Sequence, residues 1–116
     1  MRYMVLIYGD ESQVMAPGSP GFDEMMAGYG AFTQHVIDRG AMVGGDPLHP
    51  SSTATTVRVR NGETLTTDGP YAETKEQLGG YYILDCKDLD DAISLAAMIP
   101  GAHSGSVEVR PVADMG

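Results

Sequence analysis

The polar residues best placed for chemistry surround an aspartate that precedes a glycine and a proline. Asp68 is followed by Gly69 and Pro70. A carboxylate held by a tight turn at a cleft can act as a general base, because partial loss of solvent makes it more basic. An aspartate at such a position also commonly bonds the backbone amides that follow it. Asp68 is therefore the candidate catalytic residue, with a purely structural role in the turn as the competing interpretation.

Four further side chains are candidate ligand contacts. Glu73 and Lys75 lie in a short polar segment after the turn and could orient a ligand carboxylate or phenol, although a solvated loop or a surface ion pair explains them as well. Tyr29 could donate a hydrogen bond to a substrate oxygen, but it also fits a core or cleft-lining position. We predict a cleft between sheet and helices that is lined by Tyr29, Asp68 and Tyr82.

The sequence gives weaker evidence for a metal site or a nucleophilic residue than for the polar site around Asp68. The three histidines, His35, His49 and His103, are scattered without ligand spacing, so we predict no metal and no cofactor. Cys86 is the single cysteine, which excludes an intramolecular disulfide and a cysteine-based zinc site and fits a reducing compartment. The methionines are predicted mostly to fill the core, although several of them around a cleft would suit an aromatic or hydrophobic ligand.

Length and charge narrow the class of protein. The chain has 116 residues, 42% of them hydrophobic and 20% charged, as expected of one folded domain over residues 1–116. Seven basic residues against 16 acidic ones give a net charge of -9, which disfavours direct binding to nucleic acid. The surface could attract a basic protein, but a solvated acidic surface is the simpler interpretation. The opening apolar run is too short for a signal peptide or a membrane span, so we expect a cytoplasmic protein.

In the first half of the chain, the spacing of apolar residues and the positions of glycines and prolines predict the strands and helices that must position these side chains. A continuous apolar run predicts a strand over residues 3–8, and glycines and prolines predict a loop over residues 9–21. Helical spacing of apolar residues predicts a helix from 22 to about 39, ended by Gly40. Residues 41–48 form a short strand, bulged at Gly44-Gly45. That helix stripe comprises Phe22, Met25, Met26, Tyr29, Phe32, Val36 and Ile37.

The second half begins with a strong hairpin signal. Asn61-Gly62 separates two β-favouring runs, 53–60 and 63–67. A strand follows over residues 80–86, and Asp88 is typical of a helix N-cap. This second helix should end at Pro100-Gly101, before a closing strand at 106–112. Its predicted buried stripe comprises Leu89, Ala92, Ile93, Ala96 and Ile99.

The element order predicts an α+β fold of the ferredoxin-like type, β-α-β-β-α-β, with a β-hairpin inserted between the second and third main strands. Two helices cover only one face of such a sheet, so the opposite face needs another cover. A second copy of the chain is the simplest one, and we expect a homodimer.

Several stretches resemble the DGPF family of YCII-related proteins. The resemblance rests on residues 67–82, TDGPYAETKEQLGGYY, and on the closing residues 105–112, GSVEVRPV. The opening strand and residues 51–60 are similar as well, so the resemblance spans nearly the whole chain. The family's name motif ends in phenylalanine, where this chain has Tyr71.

The resemblance implies a bacterial dimeric α+β barrel and leaves activity open between two hypotheses. Some members of the wider group act on chlorinated aromatic breakdown products, and a His-Asp pair in a cleft has been proposed. The histidine would fall near Tyr29, so only Asp68 carries over. The first hypothesis is a small-molecule-binding or lyase/isomerase-like enzyme acting on an aromatic or hydrophobic metabolite. The alternative is a non-enzymatic regulatory partner, because DGPF members are often encoded beside extracytoplasmic-function sigma factors.

Overall fold

The computed structural model describes residues 1–115 and contains six strands and three helices in that range. Two single-turn 3-10 segments, Glu11–Gln13 and Ser51–Thr53, lie in the connections. In chain order the elements are β1 (Arg2–Gly9), α1 (Phe22–Asp38), β2 (Met42–Pro47), β3 (Thr55–Arg60), β4 (Glu63–Asp68), β5 (Gln77–Asp85), α2 (Leu89–Ala96), α3 (Gly101–Ser104) and β6 (Ser106–Pro111).

The main sheet has four strands in the order β2-β5-β1-β6, and every neighbouring pair is antiparallel. Val5 on β1 lies opposite Tyr82 on β5 and Val109 on β6. The register shifts once between β2 and β5, after Met42, where the two-glycine segment of β2 follows. The ferredoxin-like prediction and the bulge in the second main strand are both confirmed.

The inserted hairpin forms a sheet of its own. Strands β3 and β4 pair from Thr55 opposite Asp68 to Arg60 opposite Glu63. Asn61 and Gly62 both have positive φ, at 51° and 79°, which is the type I′ geometry whose twist matches the flanking strands. The hairpin predicted from the Asn-Gly pair is therefore confirmed.

Capping residues set two of the helix ends. Gly40, just beyond α1, has a φ of 71° and ends the helix as predicted, since a left-handed residue there is easiest for glycine. The Asp88 carboxylate accepts a hydrogen bond of 2.9 Å from the backbone N–H of Asp91, which satisfies an amide of the first turn of α2.

A single core lies between the main sheet and the three helices. Its fully enclosed side chains come from alternate positions of the strands, such as Val5 and Leu84, and from one side of each long helix, such as Phe32 and Leu95. This alternation leaves the opposite face of the sheet without helices. We call it the open face; it carries Met4, Leu6, Tyr8, Tyr81, Ile83, Glu108 and Arg110.

The predicted helix stripes are wrong at several positions. Leu89 and Ile93 are 49% and 50% exposed, whereas the unpredicted Leu95 is buried. Helix α2 buries Ala92, Leu95 and Ala96, which together with Ile99 have the spacing i, i+3, i+4, i+7 of one helical face. On α1, Met26 and Ile37 are also half-exposed, so its buried side is narrower than the seven-residue stripe.

Pro100 has a different role from the predicted one. Helix α2 already ends at Ala96, and Pro100 stands at the start of the short helix α3. A proline is favoured at a helix start, where its missing N–H has no helical partner to lose. The sequence analysis predicted Pro100-Gly101 only as the end of a helix, and it did not predict α3.

Among residues 1–115, none of the helices has both the length and the apolar composition that a membrane span requires.

Candidate functional site

Two cavities lie on opposite faces of the main sheet. The first, which we call the helix-side cavity, has a volume of about 440 Å³ and lies among α1, α3 and the loop before α1. The size is within the usual range of small-molecule sites. It is lined by Met15, Gly21, Glu24, Met25, Tyr29, Pro100, Gly101, His103 and Ser104.

Two glycines allow α1 and α3 to come close enough to build this cavity. A Cβ on Gly28 would lie 2.9 Å from Cγ of Pro100. A Cβ on Gly101 would lie 2.8 Å from both the Tyr29 hydroxyl and a methyl carbon of Ile7. Neither contact leaves room for a side chain, so the glycines fix the position of Tyr29 against the start of α3.

Tyr29 supplies the cavity with a hydroxyl of defined protonation. Burial raises its pKa above 10.0, while the N–H of Gly101 bonds the phenol oxygen and acts in the opposite direction. The phenol therefore stays neutral at physiological pH. Because the oxygen receives the Gly101 N–H, the phenolic O–H remains available to donate to a ligand.

His103 is the functional candidate that the sequence interpretation missed. Its Nε2 lies 3.1 Å from the carbonyl oxygen of Ala97. A carbonyl only accepts, so Nε2 carries a proton in this contact, and in the neutral ring Nδ1 is left as an acceptor. The prediction that the second helix ends at Pro100-Gly101 leaves His103 outside any helix. Recognising Pro100-Gly101 as a helix start would have placed it on α3, facing α1.

The second cavity, which we call the open-face cavity, has a volume of about 670 Å³ at the carboxyl end of β1. The Tyr8 hydroxyl donates to Glu108 Oε1 at 3.2 Å, and the Ser106 hydroxyl donates to Glu76 Oε1 at 2.7 Å. Its lining comprises Tyr8, Thr74, Lys75, Glu76, Ser106 and Glu108.

Charges in the open-face cavity are fixed by these contacts. Burial, followed by the hydrogen bond to Glu108, raises the pKa of Tyr8. The hydrogen bond from Arg110 lowers the pKa of Glu108. At neutral pH the phenol is therefore protonated and the carboxylate charged. Lys75 is the basic residue of the lining.

The residues predicted from the sequence do not come together in one chain. Tyr29 lines the helix-side cavity and Lys75 lines the open-face cavity, while Glu73 is exposed and lines neither. Tyr82 packs edge-on against Phe32, with ring centroids 5.0 Å apart, and its hydroxyl lies 3.0 Å from the Thr33 hydroxyl. The predicted cleft of Tyr29, Asp68 and Tyr82 is thus not formed by a single copy.

Asp68 lies at the base of the hairpin, as the last residue of β4, and is exposed. Within residues 1–115, its carboxylate accepts no hydrogen bond from the amides that follow it. The Gly69 N–H instead bonds the Ala54 carbonyl at 2.7 Å, and the Gly69 carbonyl accepts from the Thr56 hydroxyl at 2.9 Å. The backbone therefore closes the hairpin base without the Asp68 side chain.

Metal-binding groups are not assembled in the described part of the chain. Across residues 1–115, no three side chains of His, Cys, Asp or Glu are grouped so that they could hold a metal ion. Cys86 is buried, and burial raises its pKa, so its thiol stays protonated at neutral pH. The two cavities present Tyr, His, Lys and Glu side chains, which can form hydrogen bonds and transfer protons.

Comparison with known proteins agrees with this fold. The model of the YCII-related domain matches residues 1–116. An uncharacterised protein of Rhizobium meliloti (strain 1021), R00369, is 40% identical over 115 residues, which cover 97% of this chain and 93% of that protein. On the evidence of the fold and of both matches, the chain belongs to the YCII-related domain family.

Proposed function

We propose that the chain binds a small aromatic or hydrophobic molecule in the helix-side cavity. The observation that carries the proposal is the composition of this cavity, which combines the thioethers of Met15 and Met25 with the Tyr29 hydroxyl and the His103 ring. Methionine side chains adapt to flat, apolar ligands and make favourable contacts with aromatic rings. A few polar groups in a largely apolar lining are typical of small-molecule sites.

Tyr29 and His103 give this cavity one donor and one acceptor. The Tyr29 O–H suits a ligand oxygen, and Nδ1 of a neutral His103 suits a ligand O–H or an acidic C–H. A lyase or isomerase needs this combination, because a base removes a proton while a donor stabilises charge on a neighbouring oxygen. We therefore extend the proposal to lyase- or isomerase-like proton transfer on a phenolic or enolisable ligand.

The family's proposed histidine would fall near Tyr29, and this chain has no histidine there. His103 brings an imidazole to the same cavity from α3 instead. The imidazole is kept but comes from a different element, and its neighbour in the cavity is the Tyr29 phenol instead of an aspartate. This supports a site that shares the histidine with the expected pair and does not need Asp68.

A homodimer is the assembly we propose, and the open face is its interface. Met4 and Leu6 of β1 and Ile83 of β5 form an apolar centre on a face that no helix covers. A second copy would remove this centre from water and enclose the open-face cavity. The general-base role of Asp68 stays a proposal that depends on this assembly, because one copy offers it no cavity.

Thermal-shift measurements with substituted phenols and catechols test the ligand proposal. We expect at least one of these compounds to raise the melting temperature of the wild type, and Tyr29→Phe and His103→Gln to reduce the shift. Tyr71→Phe is the matched control, because Tyr71 is 82% exposed and lines neither cavity. If no compound acts and a pull-down recovers an extracytoplasmic-function sigma factor, the regulatory alternative is favoured.

A further inference from the structure

The β3–β4 hairpin lacks the packing that normally stabilises two strands. Every residue of β4 is exposed, and in β3 only Thr56 is partly buried. A two-stranded hairpin is marginally stable at best when it stands alone in water. Its well-defined turn and full register therefore suggest that another surface supports it.

The two faces of the hairpin differ in chemistry. Register places Val57 opposite Thr66 and Val59 opposite Thr64 on one face, which we call the valine face. The other face carries Arg58 opposite Leu65 and Arg60 opposite Glu63. Val57 and Val59 are 59% and 58% exposed. The valine face is thus a strip of four uncharged, β-branched side chains that a packed interface could bury.

The surface area of the chain indicates how much is left to cover. A compact protein of 12.3 kDa exposes about 6,100 Å². This chain exposes 7999 Å², an excess of about 1,900 Å². Its radius of gyration is 16.1 Å, against about 13 Å for a compact domain of this length. The excess exceeds the roughly 800 Å² that each partner buries in a standard interface.

The hairpin has no net charge, so an acidic second copy does not repel it. The hairpin carries Arg58 and Arg60 against Glu63 and Asp68, so the net charge of -9 resides on the rest of the chain. Within residues 1–115 neither arginine has an ion-pair partner. Arg58 and Arg60 lie on the face opposite the valine face, so their attraction to the acidic body of a second copy acts only at long range and is screened by salt. The open face of that copy offers an apolar centre, Met4, Leu6 and Ile83, to the valine face.

We propose that the hairpin is an arm that packs by its valine face across the open face of a second copy. In a two-fold dimer each copy gives and receives one arm. Asp68 lies on the same side of β4 as Thr64 and Thr66, at the base of the hairpin and beyond the valine face, so docking would bring it to the edge of the interface. The proposal rests on the homodimer proposed above and adds the segment that forms the contact.

Sedimentation equilibrium of the full chain tests the arm with two variants. Val57→Thr/Val59→Thr keeps the β-branched shape, and hence the hairpin, but places hydroxyls where methyl groups would be buried. We expect its dimer dissociation constant to rise about tenfold or more. Leu65→Thr is the matched control on the opposite face, and we expect a change below about threefold.

The possible outcomes distinguish the proposal of an arm from the proposal of a dimer. A wild-type chain that sediments at 12.3 kDa throughout the micromolar range would overturn both proposals. A wild-type dimer whose dissociation constant is unaffected by Val57→Thr/Val59→Thr would overturn the arm alone. A larger effect of Leu65→Thr than of the double variant would also overturn it, because the opposite face would then be the one in contact. Circular dichroism confirms that the variants remain folded.

Discussion

Tyr81 and Tyr82 are neighbours in sequence and identical in type, yet the two faces of the sheet give them different surroundings. The Tyr82 ring packs against Phe32 beneath α1, and its hydroxyl pairs with Thr33. Tyr81 points to the open face, where its hydroxyl donates to Asp46 at 3.0 Å and this bond raises its pKa. The helices of the same chain cover one face of the sheet. The open face, by contrast, carries polar groups and an apolar centre that no other part of the chain covers.

The largest effect should come from breaking the covered face. Phe32 is 2% exposed and packs against Tyr82 in the core. Phe32→Ala removes the ring and leaves a cavity, so we expect a loss of about 3–5 kcal/mol in the free energy of unfolding. Chemical denaturation measures this. A loss below about 1 kcal/mol would mean that the helix layer collapses into the space or is not the main core.

A charge on the open face tests whether that face is covered in solution. Leu6→Lys places an ammonium in the apolar centre, and we expect the dimer dissociation constant to rise about 100-fold or more. The monomer should keep its secondary structure, because no helix packs on Leu6. Val14→Lys is the control, since Val14 is 72% exposed and lies outside both sheet faces. An unchanged sedimentation profile for Leu6→Lys would contradict the proposed interface.

The tyrosine pair provides a finer comparison. Tyr82→Phe removes the hydrogen bond to Thr33, and we expect a loss of about 0.5–1.5 kcal/mol in the free energy of unfolding. Tyr81→Phe removes a bond to the exposed Asp46, and we expect a loss below about 0.5 kcal/mol. Urea denaturation of the two variants, at a protein concentration low enough for the chain to be monomeric, measures the difference. Equal losses in the monomer would show that the Tyr81–Asp46 bond is as well shielded from water as the Tyr82–Thr33 bond.

The smallest effect concerns the ion pair that joins the end of α1 to α2. Asp91 accepts from the Lys87 N–H and from the Arg39 guanidinium, and these contacts lower its pKa below 3.8. A lowered pKa stabilises the fold above the unfolded-state value, and this stabilisation is lost as pH falls through the folded-state value. Asp91→Asn should therefore lower the melting temperature at pH 7, and the difference should shrink below about pH 4. A difference that is independent of pH would exclude this contribution.

Local signals predicted much of the fold. The turn at Asn61-Gly62, the cap at Asp88 and the glycine after α1 depend on backbone geometry within a few residues, and all three were placed correctly. The burial of Leu89, Ile93 and Leu95 was predicted wrongly, because apolar residues lie on two overlapping faces of α2 and packing against the rest of the core selects one of them. The candidate site shows the same contrast between local signals and long-range packing. Tyr29 and Lys75 each line a cavity, but His103 was missed because its position depends on the packing of α3 against α1.

The sequence by itself determined the order and type of the main elements, the hairpin and the family, because these follow from periodicity, turn residues and motifs that are close together in the chain. Only the tertiary structure decided which side chains meet. It placed Tyr29 beside His103 although 74 positions separate them, and it set Asp68 apart on an exposed hairpin. The physical reason is that a cavity is formed by elements distant in sequence, whose approach depends on side-chain volumes such as those at Gly28 and Gly101.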